Sequence, residues 1–311
     1  MAAKSMVSPL SLPTTRSPRV ACSFILSDYW ALTKPEVNFL ILVTTFAGFY
    51  LGRSVGWRDF PLSLAINAVV GTLLVSSGTS ALNQYVERDF DAKMRRTARR
   101  PLAAGRLKPS EGLWFGVALS VSGTVYLALG VNMLASLLAL ATLLAYLFLY
   151  TPLKRKSPLC TLVGAFPGAM PPLIGWASAT GRLTYEAWGL FAALFLWQFP
   201  HFMAIAWMYR EDYERAGYRV LPHGEPARHR FVDIQTIMPL LGLLPMSLLH
   251  AHAGRMGTLC YAGAFFLGLW FLYYGARFVA QGSNSAARRL LTASIVYLPV
   301  LFILKVVLAT G

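Results

Sequence analysis

Asn83-Gln84-Tyr85-Val86-Glu87-Arg88-Asp89-Phe90-Asp91 closes an apolar run that begins near residue 61. Asn83, Glu87 and Asp91 are spaced i, i+4, i+8. At about 100° per residue they fall within about 80° of one another if the helix continues. They then form a ladder of oxygen ligands about 12 Å long, with Asp91 at the membrane surface and Asn83 inside the bilayer. Asp89 points elsewhere. Asn83 sits in an otherwise apolar stretch, where a buried polar group needs a partner and where polar side chains mark working sites. Hard oxygen ligands with no His or Cys nearby suit Mg2+ rather than zinc. Lys93, Arg95, Arg96, Arg99, Arg100 and Arg106 follow at once. Carboxylates leading into such a run read as a metal-bridged phosphate site with a cationic clamp. Lys154, Arg155 and Lys156 offer a second basic arm. No Walker A or Rossmann glycine pattern is present, so no glycine loop holds the phosphate.

The rest of the chain says what surrounds this ladder. Of 311 residues, 56% are apolar and 13% charged, and mean hydropathy is +0.53. So few charges cannot coat a soluble globule, for which about 25% is usual. Runs of about 20 apolar residues cross a bilayer as helices. Nine are expected, at 37–51, 61–82, 113–129, 133–150, 159–177, 187–207, 237–250, 259–280 and 290–308. The expected fold is therefore an all-α, polytopic membrane protein with nine transmembrane helices. With this division, 23 of the 28 Lys and Arg fall on one side of the membrane. Positive loops stay in the cytoplasm, so the amino terminus is expected inside and the carboxyl terminus outside. The net charge of +15 is then a basic cytoplasmic face toward anionic lipid and an anionic substrate, not a nucleic-acid surface. Residues 1–27, rich in Ser and Thr with Lys4, Arg16 and Arg19, read as a disordered cytoplasmic tail, and 28–311 as one domain. Cys22, Cys160 and Cys260 are too few and too scattered for a disulfide framework.

A second acidic cluster, Tyr209-Arg210-Glu211-Asp212-Tyr213-Glu214, lies at the inner end of the sixth run. It reaches the same membrane face as the first, or is simply a solvated loop start with internal ion pairs. Upstream lies Trp197-Gln198-Phe199-Pro200-His201-Phe202. His201 and Asp212 are eleven positions apart and share a face if the helix is unbroken. Pro200 is expected to kink or open it. His201 is either a packing residue or one that meets a polar substrate edge or a porphyrin.

These strings resemble the UbiA superfamily of intramembrane prenyltransferases, and within it the branch that farnesylates haem. The resemblance rests on Asn83–Asp91, Met94–Thr97, Arg100–Gly105, Tyr150–Arg155, the proline-rich 164–176, Trp197–Phe202 and Tyr209–Tyr213. It covers residues 28 to 309. It implies a helical bundle around a central cavity, and transfer of the farnesyl group of farnesyl diphosphate to haem b, with water addition. By the resemblance, Asn83, Glu87 and Asp91 are catalytic and hold Mg2+, Arg96, Arg100, Lys154 and Arg155 bind diphosphate, and His201 binds haem. Glu87 stands where Asp is commoner. The superfamily's second Asp-x3-Asp element is missing, because Asp212 is followed four residues on by Ala216; Glu211 and Asp212 are the expected substitutes as metal ligands. The expected location is a bacterial inner membrane, or alternatively the mitochondrial one, with haem A synthase or terminal oxidase assembly as partners. Two rival readings stay open at this point: an aromatic prenyltransferase of quinone pathways, and a transporter. A transporter would place its polar groups near the midplane of broken helices.

Overall fold

In lipid every backbone polar group must be satisfied internally, so an apolar chain crosses as helices. The computed structural model describes residues 18–53, 59–248 and 255–308, and among them every long element is helical. The order is α1 (Pro18–Leu32), α2 (Pro35–Arg53), α3 (Leu62–Asp91), α4 (Pro109–Gly130), α5 (Met133–Leu144), a π-helical turn (Ala145–Tyr150) and α6 (Thr151–Leu153). There follow α7 (Cys160–Gly168), α8 (Met170–Thr180), α9 (Tyr185–Met208), α10 (Arg210–Ala216), α11 (Glu225–Leu248), α12 (Arg255–Gln281) and α13 (Asn284–Leu308). Of the expected tail, residues 1–17 lie outside the described residues, and α1 already begins at Pro18.

Among the described residues, seven helices are each long and apolar enough on their own to cross a membrane, against nine expected apolar runs. Two physical features account for the difference. The fifth apolar run is broken after Gly168 into α7 and α8, neither long enough alone. The seventh is the second half of α11, whose first half carries Glu225, Arg228, His229, Arg230 and Asp233.

Two seams bring the long helices together. α3 lies along α4, and α2 lies along α8. At the second seam a Cβ on Gly48 would run into the Pro172 carbonyl, and one on Gly175 into the Thr45 carbonyl. These two glycines let the backbones touch, which is how membrane helices pack where burial of apolar surface gives no drive. The other half of the bundle, α9 with α11, α12 and α13, surrounds a core that includes Trp197, Leu240, Phe271, Leu290 and Tyr297. Between the halves, Gln198 on α9 donates to the Ala165 carbonyl at 3.0 Å, just before the break between α7 and α8. The C-terminal part of α3 packs against the π-helical turn that leads into α6, and the functional side chains lie there.

Candidate active site

The helix does continue. α3 is unbroken to Asp91, and Asn83, Glu87 and Asp91 are 1%, 5% and 1% exposed. Asp89 points away, three-quarters exposed beside Arg88. Each rung of the ladder carries its own basic side chain. Lys34 Nζ donates to Asn83 Oδ1 at 3.0 Å. Lys154 Nζ donates to Glu87 Oε1 at 2.8 Å. Arg100 Nη1 donates to Asp91 Oδ2 at 2.7 Å.

Local structure explains how these partners arrive. Lys34 occupies the turn between α1 and α2 with φ +51°, a left-handed conformation that costs a non-glycine residue about 1–3 kcal/mol. The strain sits where Lys34 reaches Asn83. Lys154 follows the π-helical turn, a feature often found at functional sites. That turn also presents Thr151, whose Oγ1 accepts from Asn83 Nδ2 at 3.3 Å while donating to the Tyr146 carbonyl. The Lys154 ammonium lies 4.5 Å from the centre of the Tyr150 ring. Arg100 is set by the turn after α3, where the Thr97 hydroxyl donates to the Asp91 carbonyl at 2.9 Å.

The charges are strongly coupled. Burial, then Arg100, pull the Lys34 amine down to about 7, against Glu87, which favours its charged form. Burial also works against charge on Lys154, but Glu87 outweighs it and keeps that amine above its ordinary value. The two lysines therefore differ: one is a firm cation and the other is poised near neutrality. Lys34 drew no notice in the sequence; its only signals there were a basic residue before a proline at the start of an apolar run.

The other expected residues fall out differently. Arg96 and Arg155 are exposed and rest on aromatic faces. Arg96 lies 4.8 Å from the Tyr209 ring and donates to the Tyr213 hydroxyl; Arg155 lies 5.0 Å from the Phe90 ring. Glu211 is exposed, and Asp212, 9% exposed, accepts from Arg215 at 3.0 Å. Among the described residues no three His, Cys, Asp or Glu side chains are grouped as a metal site, so Glu211 and Asp212 do not join Glu87 and Asp91 in one. The shared face of His201 and Asp212 fails for a definite reason: α9 ends at Met208, and Tyr209 leaves the helical conformation before α10 begins. His201 instead faces α13, its Nδ1 2.7 Å from Ser294 Oγ, with its ring stacked on Trp197. Trp197 Nε1 donates to the Ser294 carbonyl at 2.8 Å. α9 remains one helix through Pro200.

The ladder's chemistry fits a hard divalent cation. Its donors are oxygens, and Asp91 Oδ1 is buried without any hydrogen-bond partner. An acceptor-only atom left unpaired in a buried site is costly and is the kind of atom a cation takes. A depression of about 550 Å3 elsewhere, lined by Tyr29, Ser110, Glu111, Trp114 and Phe115, contains none of these groups.

The model of the UbiA prenyltransferase family matches residues 41–303. The chain belongs to that family. Among curated proteins it is 49% identical over 283 residues to the protoheme IX farnesyltransferase of Solibacter usitatus (strain Ellin6076), covering 89% of this chain and 97% of the relative. It is 40% identical to the protoheme IX farnesyltransferase of Koribacter versatilis (strain Ellin345), covering 96% of each. Among solved structures, a digeranylgeranylglyceryl phosphate synthase shares the fold at TM-score 0.71 and 17% identity, over 92% of this chain and 98% of that one. A UbiA homolog from Archaeoglobus fulgidus, bound to GPP and Mg2+, shares it at TM-score 0.63 and 15% identity, over 89% and 99%. A multi-pass helical membrane protein of the UbiA type is thus established, and with it the prenyltransferase reading over the transporter.

Proposed function

We propose that the protein transfers the farnesyl group of farnesyl diphosphate to a vinyl carbon of haem b, with addition of water, to give haem O and diphosphate. The observation that carries the chemistry is the buried ladder with a basic group on each rung. The reaction must break an allylic C–O bond, and negative charge grows on the departing diphosphate. Lys34, Lys154 and Arg100 converge from three separate segments on the oxygens of one helix face. They are placed to bind and stabilise that charge without reorganising. Asn83, Glu87 and Asp91 would hold Mg2+, which supplies Lewis-acid charge at the same oxygens. Arg96 and Arg155 serve the outer approach of the anion from the cytoplasm. Asp212, buried beside its arginine, supports α10.

Ionisation leaves an allylic cation, which needs a dry site with electron-rich walls. Tyr146 and Tyr150, with ring centres 5.0 Å apart, provide such faces next to Lys154. The haem vinyl carbon attacks that cation and forms the new C–C bond. The charge then sits on the carbon next to the pyrrole, and water adds there, releasing a proton and leaving a hydroxyl. Haem reaches the reaction from the α9–α13 side, where His201, Trp197 and Ser294 form a connected polar group in an apolar wall. The protein sits in a bacterial inner membrane with the ladder facing the cytoplasm, and passes haem O to haem A synthase or a terminal oxidase.

The test is incubation of purified protein in bilayer discs with labelled farnesyl diphosphate and either haem b or 4-hydroxybenzoate, followed by mass spectrometry. A haem heavier by one farnesyl chain plus water is expected. Label on the benzoate and none on haem would overturn the substrate assignment.

A further inference from the structure

The segment after α10 carries a side chain that neither the ladder nor its basic partners account for. Gly217 ends α10 in the left-handed conformation, with φ +80°, and the chain then turns back over the inner end of α3. Tyr218 is buried there, 4% exposed, in a cluster with Met94 and Ala216. Its ring lies 5.5 Å from that of Phe90 and 6.0 Å from that of Tyr213. The next residue ties the segment to the basic arm, since the Arg219 backbone N–H donates to the Lys154 carbonyl at 2.8 Å. Tyr218 is thus fixed from both sides, against the helix that carries Glu87 and Asp91 and against the loop that carries Lys154. Its hydroxyl is buried and directed at the Glu87 carboxylate, without completing a hydrogen bond of full strength there. A tyrosine hydroxyl buried at this depth ordinarily finds a partner.

We infer that Tyr218 is a substrate-binding residue of this site, its hydroxyl donating a hydrogen bond to a diphosphate oxygen of the prenyl substrate. The groups whose charges reach the hydroxyl are those of the ladder and its clamp: Glu87, Lys154 and Asp91. A phenol ordinarily keeps its proton throughout the neutral range, so the hydroxyl acts here as a neutral donor. Lys34, Lys154 and Arg100 would meet the anion as basic side chains. A neutral donor adds direction without adding charge, which helps hold the diphosphate in one orientation while the allylic carbon departs. The aromatic contacts with Phe90 and Tyr213 fix the ring, so little freedom is lost when the bond forms.

This assignment rests on the prenyl-diphosphate reading of the ladder, and the test separates the two. Inorganic diphosphate, with saturating Mg2+, is titrated calorimetrically into wild-type protein and Tyr218→Phe. The variant keeps the ring and its packing and removes only the oxygen. Wild-type binding is expected, with affinity in Tyr218→Phe reduced about tenfold. KM for farnesyl diphosphate should rise by a similar factor while KM for haem stays unchanged. Equal diphosphate affinity in wild type and variant would overturn the role of Tyr218 and leave the ladder reading intact. Absence of diphosphate binding by the wild type itself would remove both.

Discussion

At the C-terminal end of α3, Asn83, Glu87 and Asp91 are each at most 5% exposed, and each is met by a basic side chain from another segment. In α10, Glu211 and Glu214 are exposed, Glu214 paired with Arg228 of α11, and the less exposed Asp212 is bridged by Arg215 of its own helix. The two stretches look alike as strings of acids, tyrosines and arginines. What separates them is the helix beneath. α3 runs unbroken for 30 residues, so a spacing of four keeps three oxygens on one buried face. α10 is seven residues long and begins after a break at Tyr209, so its acids cannot extend the register of α9. The regions do meet, but through other side chains: Arg96 on Tyr209 and Tyr213, and Tyr218 on Phe90. Acidic clusters at one membrane face are thus not interchangeable. Burial and partners from distant segments decide which one can act on an anion.

The contrast can be broken by substitution. Asp91→Ala removes the rung whose second oxygen has no partner. Farnesyl transfer should fall by about 10³-fold or more, with the melting profile of the protein in bilayer discs little changed; near-normal turnover would sink the assignment. Lys154→Met leaves Glu87 buried without its cation, so it should cost about 3 kcal/mol of stability and about 10²-fold in turnover. Denaturation midpoints and initial rates report the two effects separately. Asp212→Ala should cost only about tenfold in turnover, and Glu211→Ala less than about twofold. If Glu211→Ala proved as damaging as Asp91→Ala, the difference between the two regions would vanish. His201→Ala, which removes the side chain that meets Ser294 of α13, should raise KM for haem by about fivefold and leave KM for farnesyl diphosphate alone. Parallel changes in both constants would take His201 out of the haem wall.

Much of the ladder could be read before any coordinates, because the helical period and the placement of Asn83 in an apolar run are local properties. The basic arm at Lys154 was legible for the same reason, although its pairing with Glu87 was not, since 67 residues separate them. Lys34 and Tyr218 escaped. One depends on a turn with positive φ, the other on a chain reversal after Gly217, and neither leaves a periodic trace. The membrane class followed from composition, but the break after Gly168, beside which Gln198 donates to the Ala165 carbonyl, left no trace in it. The shared face of His201 and Asp212 was lost because α9 ends at Met208 and Tyr209 breaks the register before α10.

The most direct measurement is farnesyl transfer to haem by purified protein in excess EDTA, followed by addition of Mg2+. The ladder account predicts that transfer stops and then returns in full, while Asp91→Ala stays inactive under both conditions. Undiminished transfer in the presence of the chelator would contradict it.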